Sequence, residues 1–323
     1  MSRLLPSARF VPLIATTFVL VALFTFAAAQ YPGFASMRVV ANLFRDNAFL
    51  GITAVGMTFV ILSGGIDLSV GGVLAFTTIL IATLVGHGWH PVTAILLALI
   101  LGTVFGAAMG ALIHRYELPP FLVTLGGMFF ARGMAFVISA ESVGISHPFY
   151  DSILGFGIKV GPKARLTAIA LLWITVVLGA VFTAHWTTFG RNVYALGGNE
   201  QSALLMGLPV AATRIGVYAM NGFCSALAGT VATFYMGSGN PAMGVALELD
   251  AIASVVIGGT LLTGGSGFVA GTMVGVLILG TIQTVILFDG RLNSWWMRIA
   301  IGVLLLTFIL LQRFLSRVTA GRR

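Results

Sequence analysis

The stretch that most constrains this fold is an apolar sequence that glycines interrupt twice, residues 47–72, NAFLGITAVGMTFVILSGGIDLSVGG. An apolar run ends at Gly64 and Gly65, one carboxylate follows at Asp67, and a second glycine pair precedes the next apolar run. A charge at the centre of a membrane helix costs roughly 2.5–3.5 kcal/mol. Irregular backbone at that depth must be buried in protein or line a water-filled cavity. The pattern therefore predicts a broken membrane helix, which is a strong sequence indication of a transport site.

Two interpretations of Asp67 are open at this point. It caps the helix that restarts at Leu68, with help from Ser69, because aspartate is a preferred N-cap residue. Alternatively, it contacts a solute at membrane depth, where carboxylates are rare and functional. Both can hold, since a cap inside a membrane also places a helix end near the solute.

The composition extends the membrane interpretation to the whole chain. Hydrophobic residues make up 58% of it and charged residues only 8%, against about 25% charged residues in an ordinary soluble protein. Hydropathy predicts an all-α, polytopic membrane protein of about ten transmembrane helices, some of them short or broken. The predicted segments are residues 10–29, 47–63, 70–86, 92–113, 121–138, 167–184, 214–234, 250–264, 268–287 and 296–312. We expect residues 1–323 to form a single transmembrane domain, with an uncleaved first helix.

Two of the predicted segments are short and end alike. Residues 47–63 run into Ser63-Gly64-Gly65, and residues 250–264 run into Thr263-Gly264-Gly265. This similarity predicts a weak internal repeat, although glycine-rich apolar runs often match by chance. Glu248 and Asp250 lie at the start of the second segment, before AIASVVIGG, where they either cap its helix through the helix dipole or face a path.

The loop at residues 185–214 contains a short helix with clear boundaries. Asn199 is a good N-cap, Glu200 suits the first turn, Gly207 suits the end, and Pro209 stops the helix. Its exposed apolar residues are Leu204, Leu205 and Met206. An apolar face that the chain itself leaves uncovered predicts a partner. A helix lying on lipid is the alternative, which acidic Glu200 disfavours at an anionic surface.

The basic residues predict the orientation of the chain. An even number of spans places both termini on one side of the membrane. The tails carry Arg3, Arg9, Arg313, Arg317, Arg322 and Arg323. Because positive charge accumulates on the cytoplasmic side, both termini are predicted to be cytoplasmic. The net charge of +8 is thus assigned to topology and anionic lipid, and no nucleic acid is expected as a partner.

Several kinds of chemistry have no sequence signature here. The chain has no GxxxxGK[ST] phosphate loop, no HExxH motif and one cysteine, Cys224, so neither a nucleotide site, a metal site nor an intrachain disulfide is predicted. Scattered histidines and acids without the spacing of a nucleophile and its base also argue against a membrane-embedded enzyme.

Three stretches carry a family resemblance, namely GMTFVILSGGIDLSVGG, GRNVYALGGNEQSALLMGL and LDAIASVVIGGTLLTGGSG. In order and over nearly the whole chain, they resemble permease subunits of bacterial ABC sugar importers of the ribose/galactose class. Three further stretches most resemble the permease of a galactofuranose importer: YPGFASMRVVANLFRDNAFLGI, ESVGISHPFYDSI and FDGRLNSWWMRIAIG.

The resemblance implies an ABC importer permease fold in the bacterial inner membrane. It implies that the chain forms the path of a monosaccharide delivered by a periplasmic sugar-binding protein. The implied partners are a second, similar but different permease, an ATP-binding subunit that uses the ATP, and membrane lipid; no cofactor is expected on this chain.

The same resemblance implies that the stretch Gly65-Ile66-Asp67-Leu68-Ser69 lies near the translocation path and that Glu200 to Gly207 contact the ATPase. The site residues that we predict form two wider groups. The predicted translocation path comprises Asn47, Ser63, Asp67, Ser69, Glu248, Asp250 and Ser254. The predicted contacts with the ATPase lie in the loop at residues 185–214 and comprise Gly198, Asn199, Glu200, Ala203, Leu204, Leu205, Met206 and Gly207. The alternative function is an ion-coupled secondary transporter that uses Asp67, Glu248 or Asp250 as a proton relay.

Overall fold

The computed structural model describes residues 11–161, 164–291 and 295–320. Within these ranges the chain forms fourteen α-helices and two small two-stranded ribbons, which confirms the predicted all-α class. The helices are α1 (Val11–Gln30), α2 (Met37–Asp46), α3 (Ala48–Leu62), α4 (Val70–Gly86), α5 (Pro91–Arg115), α6 (Pro120–Ile138), α7 (Pro148–Gly155), α8 (Ala168–Trp186), α9 (Thr188–Gly198), α10 (Glu200–Leu205), α11 (Val210–Met236), α12 (Leu247–Ile257), α13 (Val269–Asp289) and α14 (Trp295–Ala320). The strands are β1 (Val143–Gly144), β2 (Gly157–Gly161), β3 (Ala164–Thr167) and β4 (Ser238–Gly239).

The described part of the chain contains six helices long and apolar enough to span a membrane, namely α1, α5, α6, α8, α11 and α13. Helices α2 and α3 meet at a bend of 56° and together satisfy the same criteria. Each of the ten predicted segments contains a helix. However, α12 has 11 residues and is about 16 Å long, so it cannot cross a hydrocarbon core of about 30 Å alone.

Helices α3 and α11 form the centre of the bundle. Every residue of α3 except Phe49 is buried, as expected of a helix that is apolar on all sides. Glycines of α5 let α11 approach closely, because a Cβ on Gly106 would collide with the Tyr218 carbonyl. The glycines of α5 therefore mark a close helix contact.

Two elements outside the bundle lie at opposite ends of α11. At its C-terminal end, the Tyr150 hydroxyl of α7 is 2.9 Å from the Thr233 hydroxyl. At its N-terminal end, Arg214 pairs with Glu200 of α10. Because α11 has 27 residues and is about 40 Å long, α7 and α10 lie near opposite membrane surfaces.

The orientation of these two surfaces stays a prediction. The tail residues Arg3, Arg9, Arg322 and Arg323, on which it depends most, lie outside the described residues. Nothing is described of the Arg313 and Arg317 side chains either.

Strands β1 and β4 join the loop after α6 to the segment after α11. They pair antiparallel, with Val143 opposite Gly239 and Gly144 opposite Ser238. The Ile145 amide extends the pairing with a 2.8 Å hydrogen bond to the Gly237 carbonyl. The segment that follows β4 carries part of the candidate site.

Candidate functional site

The first break separates α3 from α4, and a glycine turn ends α3 there. Gly64 has φ +83°, a left-handed conformation that glycine adopts without strain. Its amide donates to the Ile61 carbonyl, and the Gly65 amide donates to the Val60 carbonyl. These bonds satisfy the last carbonyls of α3, so the helix can end inside the bundle.

Asp67 anchors this break to the centre of the bundle. Its side chain is 1% exposed. One carboxylate oxygen accepts hydrogen bonds from the Ser69 amide at 2.8 Å and the Ser69 hydroxyl at 2.7 Å. The other accepts a 2.8 Å bond from the side-chain amide of Asn221, on α11. A buried carboxylate is tolerated when it is hydrogen-bonded in this way, and here it fixes the start of α4 against α11.

The second break, between α12 and α13, differs from its sequence prediction. The predicted segment 250–264 was expected to end at Gly264 and Gly265, but α12 ends at Ile257. The helix stops earlier because Gly259 has φ +93° and Gly258 lies against the backbone of Gly271. The helix also begins earlier than predicted, at Leu247, so Glu248 and Asp250 lie in its first turn.

The two breaks nevertheless share their turn and touch each other. Gly64 and Gly264 have φ values of +83° and +84°, and each amide donates to the carbonyl three residues before it. A Cβ on Gly264 would lie 2.9 Å from the Gly64 Cα. The similarity of the two sequences therefore corresponds to a similar turn, although the preceding helices differ in length.

An irregular segment between β4 and α12, residues 240–246, lies beside the first half of α4. The Asn240 amide donates to the Thr78 hydroxyl at 3.2 Å, in the middle of α4. Gly244 lies against Gly71, in the first turn of α4. The segment therefore descends about 10 Å along α4, at 1.5 Å per helical residue, which places it at membrane depth.

Arg132 of α6 holds this irregular segment. Its guanidinium donates to the carbonyls of Pro241, Met243 and Gly244. A planar guanidinium with five donors suits such a set of acceptors. The Gly244 carbonyl also accepts from the Leu247 amide, whereas the Pro241 and Met243 carbonyls have Arg132 as their donor. Irregular backbone at membrane depth requires such partners.

One side of the irregular segment and of the first turn of α12 is open. Its exposed residues are Asn240, Ala242, Val245 and Leu249, and Glu248 is partly exposed beside them; we call these five residues the path strip. Irregular backbone and a carboxylate at membrane depth are unsuited to lipid. The path strip must therefore face water or another protein chain.

Charged groups continue from the path strip toward α14. Arg298 of α14 pairs with Asp250 at 3.0 Å. Glu248 lies in the same first turn of α12, where the charges of Arg132, Asp250 and Arg298 all act on it. One Glu248 oxygen, Oε2, is buried and has no hydrogen-bond partner among the described residues. The residues in the described ranges form no group of three histidine, cysteine or acidic side chains that could hold a metal ion.

The other predicted path residues lie deeper or beside a different cavity. Asn47 donates to the Leu43 carbonyl at 2.9 Å, at the bend between α2 and α3. Ser254 is fully buried and donates to the Asp250 carbonyl at 2.8 Å. Ser63 borders a cavity of about 640 Å³ that also reaches Leu204 and Arg214. The structure therefore brings only Glu248 and Asp250, of the seven predicted residues, to the neighbourhood of the path strip.

The predicted short helix is present as α10. The Asn199 side chain accepts a 2.8 Å hydrogen bond from the Ser202 amide, and Gly207 has φ +74° beyond its end. Ala203 is buried, whereas Leu205 is 89% exposed. Leu204 and Met206 are also exposed, so the apolar face of α10 is open, as the sequence predicts.

Sequence reasoning missed Arg132 and Asn221. Arg132 is the one charged residue of α6, and an arginine within an apolar span is itself an indication of a functional or structural site. Asn221 had no comparable local signal, since its role depends on Asp67, 154 positions away.

Comparisons with known proteins agree over most of the chain. The family model described as "Branched-chain amino acid transport system / permease component" matches residues 39–309. The chain is 51% identical over 316 residues to the inner membrane ABC transporter permease protein YjfF of Escherichia coli K12, covering 98% of this chain and 96% of that one. It is 38% identical to the ribose import permease protein RbsC of Bacillus subtilis, over 87% of each chain. It is 35% identical to the fructose import permease protein FruG of Bifidobacterium longum, covering 98% of this chain and 94% of that one. No solved structure matches the chain.

Proposed function

This chain belongs to the family of permease components of ATP-binding-cassette (ABC) importers, and on that basis we propose that it forms the membrane path of a monosaccharide importer. As a permease component it is a transport subunit and not an enzyme. Relatives named as ribose and fructose import permeases support a monosaccharide as the solute. Galactofuranose is the specific sugar that we propose, from the resemblance described above.

The path strip is the part of the chain that we assign to the wall of the path. The observation that carries this assignment is an irregular, partly exposed backbone that runs beside α4 at membrane depth. Such backbone is stable next to water or protein and not next to lipid. Glu248 supplies a carboxylate that can accept hydrogen bonds from sugar hydroxyls, and the positive charges of Arg132 and Arg298 favour it.

Asp67, Ser69, Asn47 and Ser254 take a supporting role in this proposal. Asp67 and Ser69 hydrogen-bond to each other, and Asn47 and Ser254 donate to main-chain carbonyls. All four are buried, so their contribution is to hold α3, α4 and α12 in place. Ser63 borders the cavity beside α10 and would be reached by solvent from that end.

The remaining proposals concern the partners. Helix α10 would seat on an ATP-binding subunit through Leu204, Leu205 and Met206, with both termini of the chain on that cytoplasmic side. A second permease subunit would close the path, and a periplasmic binding protein would deliver the sugar. ATP would be bound and hydrolysed by the partner. Import would thus draw its energy through α10.

Reconstitution tests this proposal directly. The chain is purified with its co-purifying permease and ATP-binding subunit, placed in vesicles, and supplied with the binding protein and radiolabelled galactofuranose or ribose. We expect uptake that requires ATP and the binding protein and that does not respond to a proton gradient. Uptake driven by a proton gradient without ATP would instead establish the ion-coupled alternative, which no contact among the described residues favours.

A further inference from the structure

The contact between the two breaks includes a third chain segment, the end of α9. The Gly265 amide, in the turn between α12 and α13, donates a 2.9 Å hydrogen bond to the Leu62 carbonyl at the end of α3. Gly197 of α9 lies directly against both groups. A Cβ on Gly197 would collide with the Leu62 carbonyl and lie 2.6 Å from the Gly265 nitrogen. We call Leu62, Gly197, Gly264 and Gly265 the glycine junction.

The junction is a contact of main chains alone. A Cβ on Gly264 would lie 3.0 Å from the Gly197 carbonyl oxygen, and one on Gly265 would lie 2.7 Å from the Gly198 Cα. Such approaches leave no space for a side chain between the segments. Displacement of α9 therefore acts on the backbones of both breaks at once, without a flexible side chain to absorb it.

Helix α9 is also connected to α10. Leu196 of α9, Ala203 of α10 and Val210 of α11 are buried in one apolar cluster. A second contact links α9 to the same turn, since the Tyr194 hydroxyl donates a 2.8 Å hydrogen bond to the Gly267 carbonyl. These contacts connect the exposed face of α10, through α9, to the turn between α12 and α13.

From these contacts we infer that the glycine junction transmits movement of α10 to the path strip, with Gly197 as its positioning residue. The route runs from α10 through α9 to the Leu62 carbonyl and Gly265 amide. From Leu62 it continues to the first break, and from Gly265 it continues along α12 to Glu248. This inference rests on the proposed function, because it presumes that an ATPase acts on α10.

Two helical glycines, one in α9 and one in α8, provide a matched test. Gly197→Ala places a methyl group in the junction, whereas Gly179→Ala, in α8, adds one where no atom lies within 4 Å of its ideal position. Both positions are helical, so alanine suits their backbone. In reconstituted vesicles, we expect Gly197→Ala to lower the sugar imported per ATP hydrolysed by about tenfold, a typical size for coupling between sites. Gly179→Ala should leave this ratio close to that of the unsubstituted importer.

A second measurement avoids dependence on a variant that fails to assemble. Thr263 is exposed beside the junction, so Thr263→Cys can be labelled with a thiol reagent in a Cys224→Ala background. We expect ATP binding to the assembled importer to change its labelling rate, and Gly197→Ala to remove that change.

Three outcomes decide the matter. A normal import-to-hydrolysis ratio in Gly197→Ala overturns the inference. So does nucleotide-independent labelling of Thr263→Cys in an importer that is transporting sugar. If the unsubstituted complex shows no ATP-dependent import, the proposed function itself fails, and the inference fails with it.

Discussion

Asp67 and Asn221 are joined by a 2.8 Å hydrogen bond between the first break and α11, and their side chains are 1% and 0% exposed. The Asn221 amide donates to the carboxylate, while its own oxygen, Oδ1, has no partner among the described residues. This geometry favours an anchoring role for Asp67 over direct contact with the solute.

The first prediction follows from that unpartnered oxygen. In Asp67→Asn the new amide group can donate to Asn221 Oδ1, while the new carbonyl oxygen keeps the two Ser69 bonds. We expect Asp67→Asn to assemble and import sugar nearly normally. Asp67→Ala should lower thermal stability in detergent, since each buried donor left unpaired costs about 1–3 kcal/mol. If Asp67→Asn has normal stability but imports poorly, Asp67 contacts the solute and is not only an anchor.

The second prediction concerns the open face of α10. Leu205→Asp should leave insertion intact but abolish sugar import, because a charge replaces an 89% exposed leucine on the proposed ATPase contact. The measurement is import and ATP hydrolysis by the same vesicles. The control is Leu154→Asp, in α7 near the opposite end of α11, where the leucine is also exposed. Equal import by both variants would contradict a coupling role for α10.

The third prediction concerns the surroundings of the path strip. Val245 and Leu178 are 67% and 65% exposed, but Val245 lies in the irregular segment and Leu178 in the spanning helix α8. Cysteine at Val245 should react with a charged thiol reagent, since irregular backbone faces water or protein at this depth. Cysteine at Leu178 should react slowly because lipid surrounds it. Similar rates at both positions would argue against a water-filled path at the strip.

The fourth prediction concerns Arg132. Lysine can supply three donors but not the planar fork of a guanidinium, so Arg132→Lys should lower import while the protein still assembles. Arg132→Met should impair assembly, because it leaves the carbonyls of Pro241 and Met243 without their donor and removes one of two donors to the Gly244 carbonyl. Size-exclusion chromatography of the complex and import assays separate the two effects. Normal import by Arg132→Met would show that the irregular segment does not need the hydrogen bonds from Arg132.

The fifth prediction concerns topology. In a Cys224→Ala background, a membrane-impermeant reagent should label Ser152→Cys on intact cells and Ser202→Cys only after the membrane is opened. Ser152 and Ser202 are both exposed and lie near opposite ends of α11. The opposite labelling pattern would place the termini and α10 outside the cytoplasm.

Local chemistry explains what the sequence could predict. Helix α10 was predicted with its cap and its end because Asn199 and Gly207 act on their immediate neighbours. The first break was predicted because two glycines and a charge interrupt an apolar run. The end of α12 was not predicted, because it depends on Gly258 packing against Gly271 of α13. Similarly, only the folded chain brings Arg132 to the carbonyls of residues 241–244.

The pairing of β1 with β4 has a consequence for the membrane surface near α7. Because Val143 and Gly144 are held to Gly239 and Ser238 by main-chain bonds, the loop after α6 is fixed to the segment beside α4. A protein that binds this loop would pull on the backbone immediately before Asn240. Binding of that protein at the surface and opening of the path at membrane depth would then be one movement of the same backbone. This movement would not depend on which side chains the protein recognises.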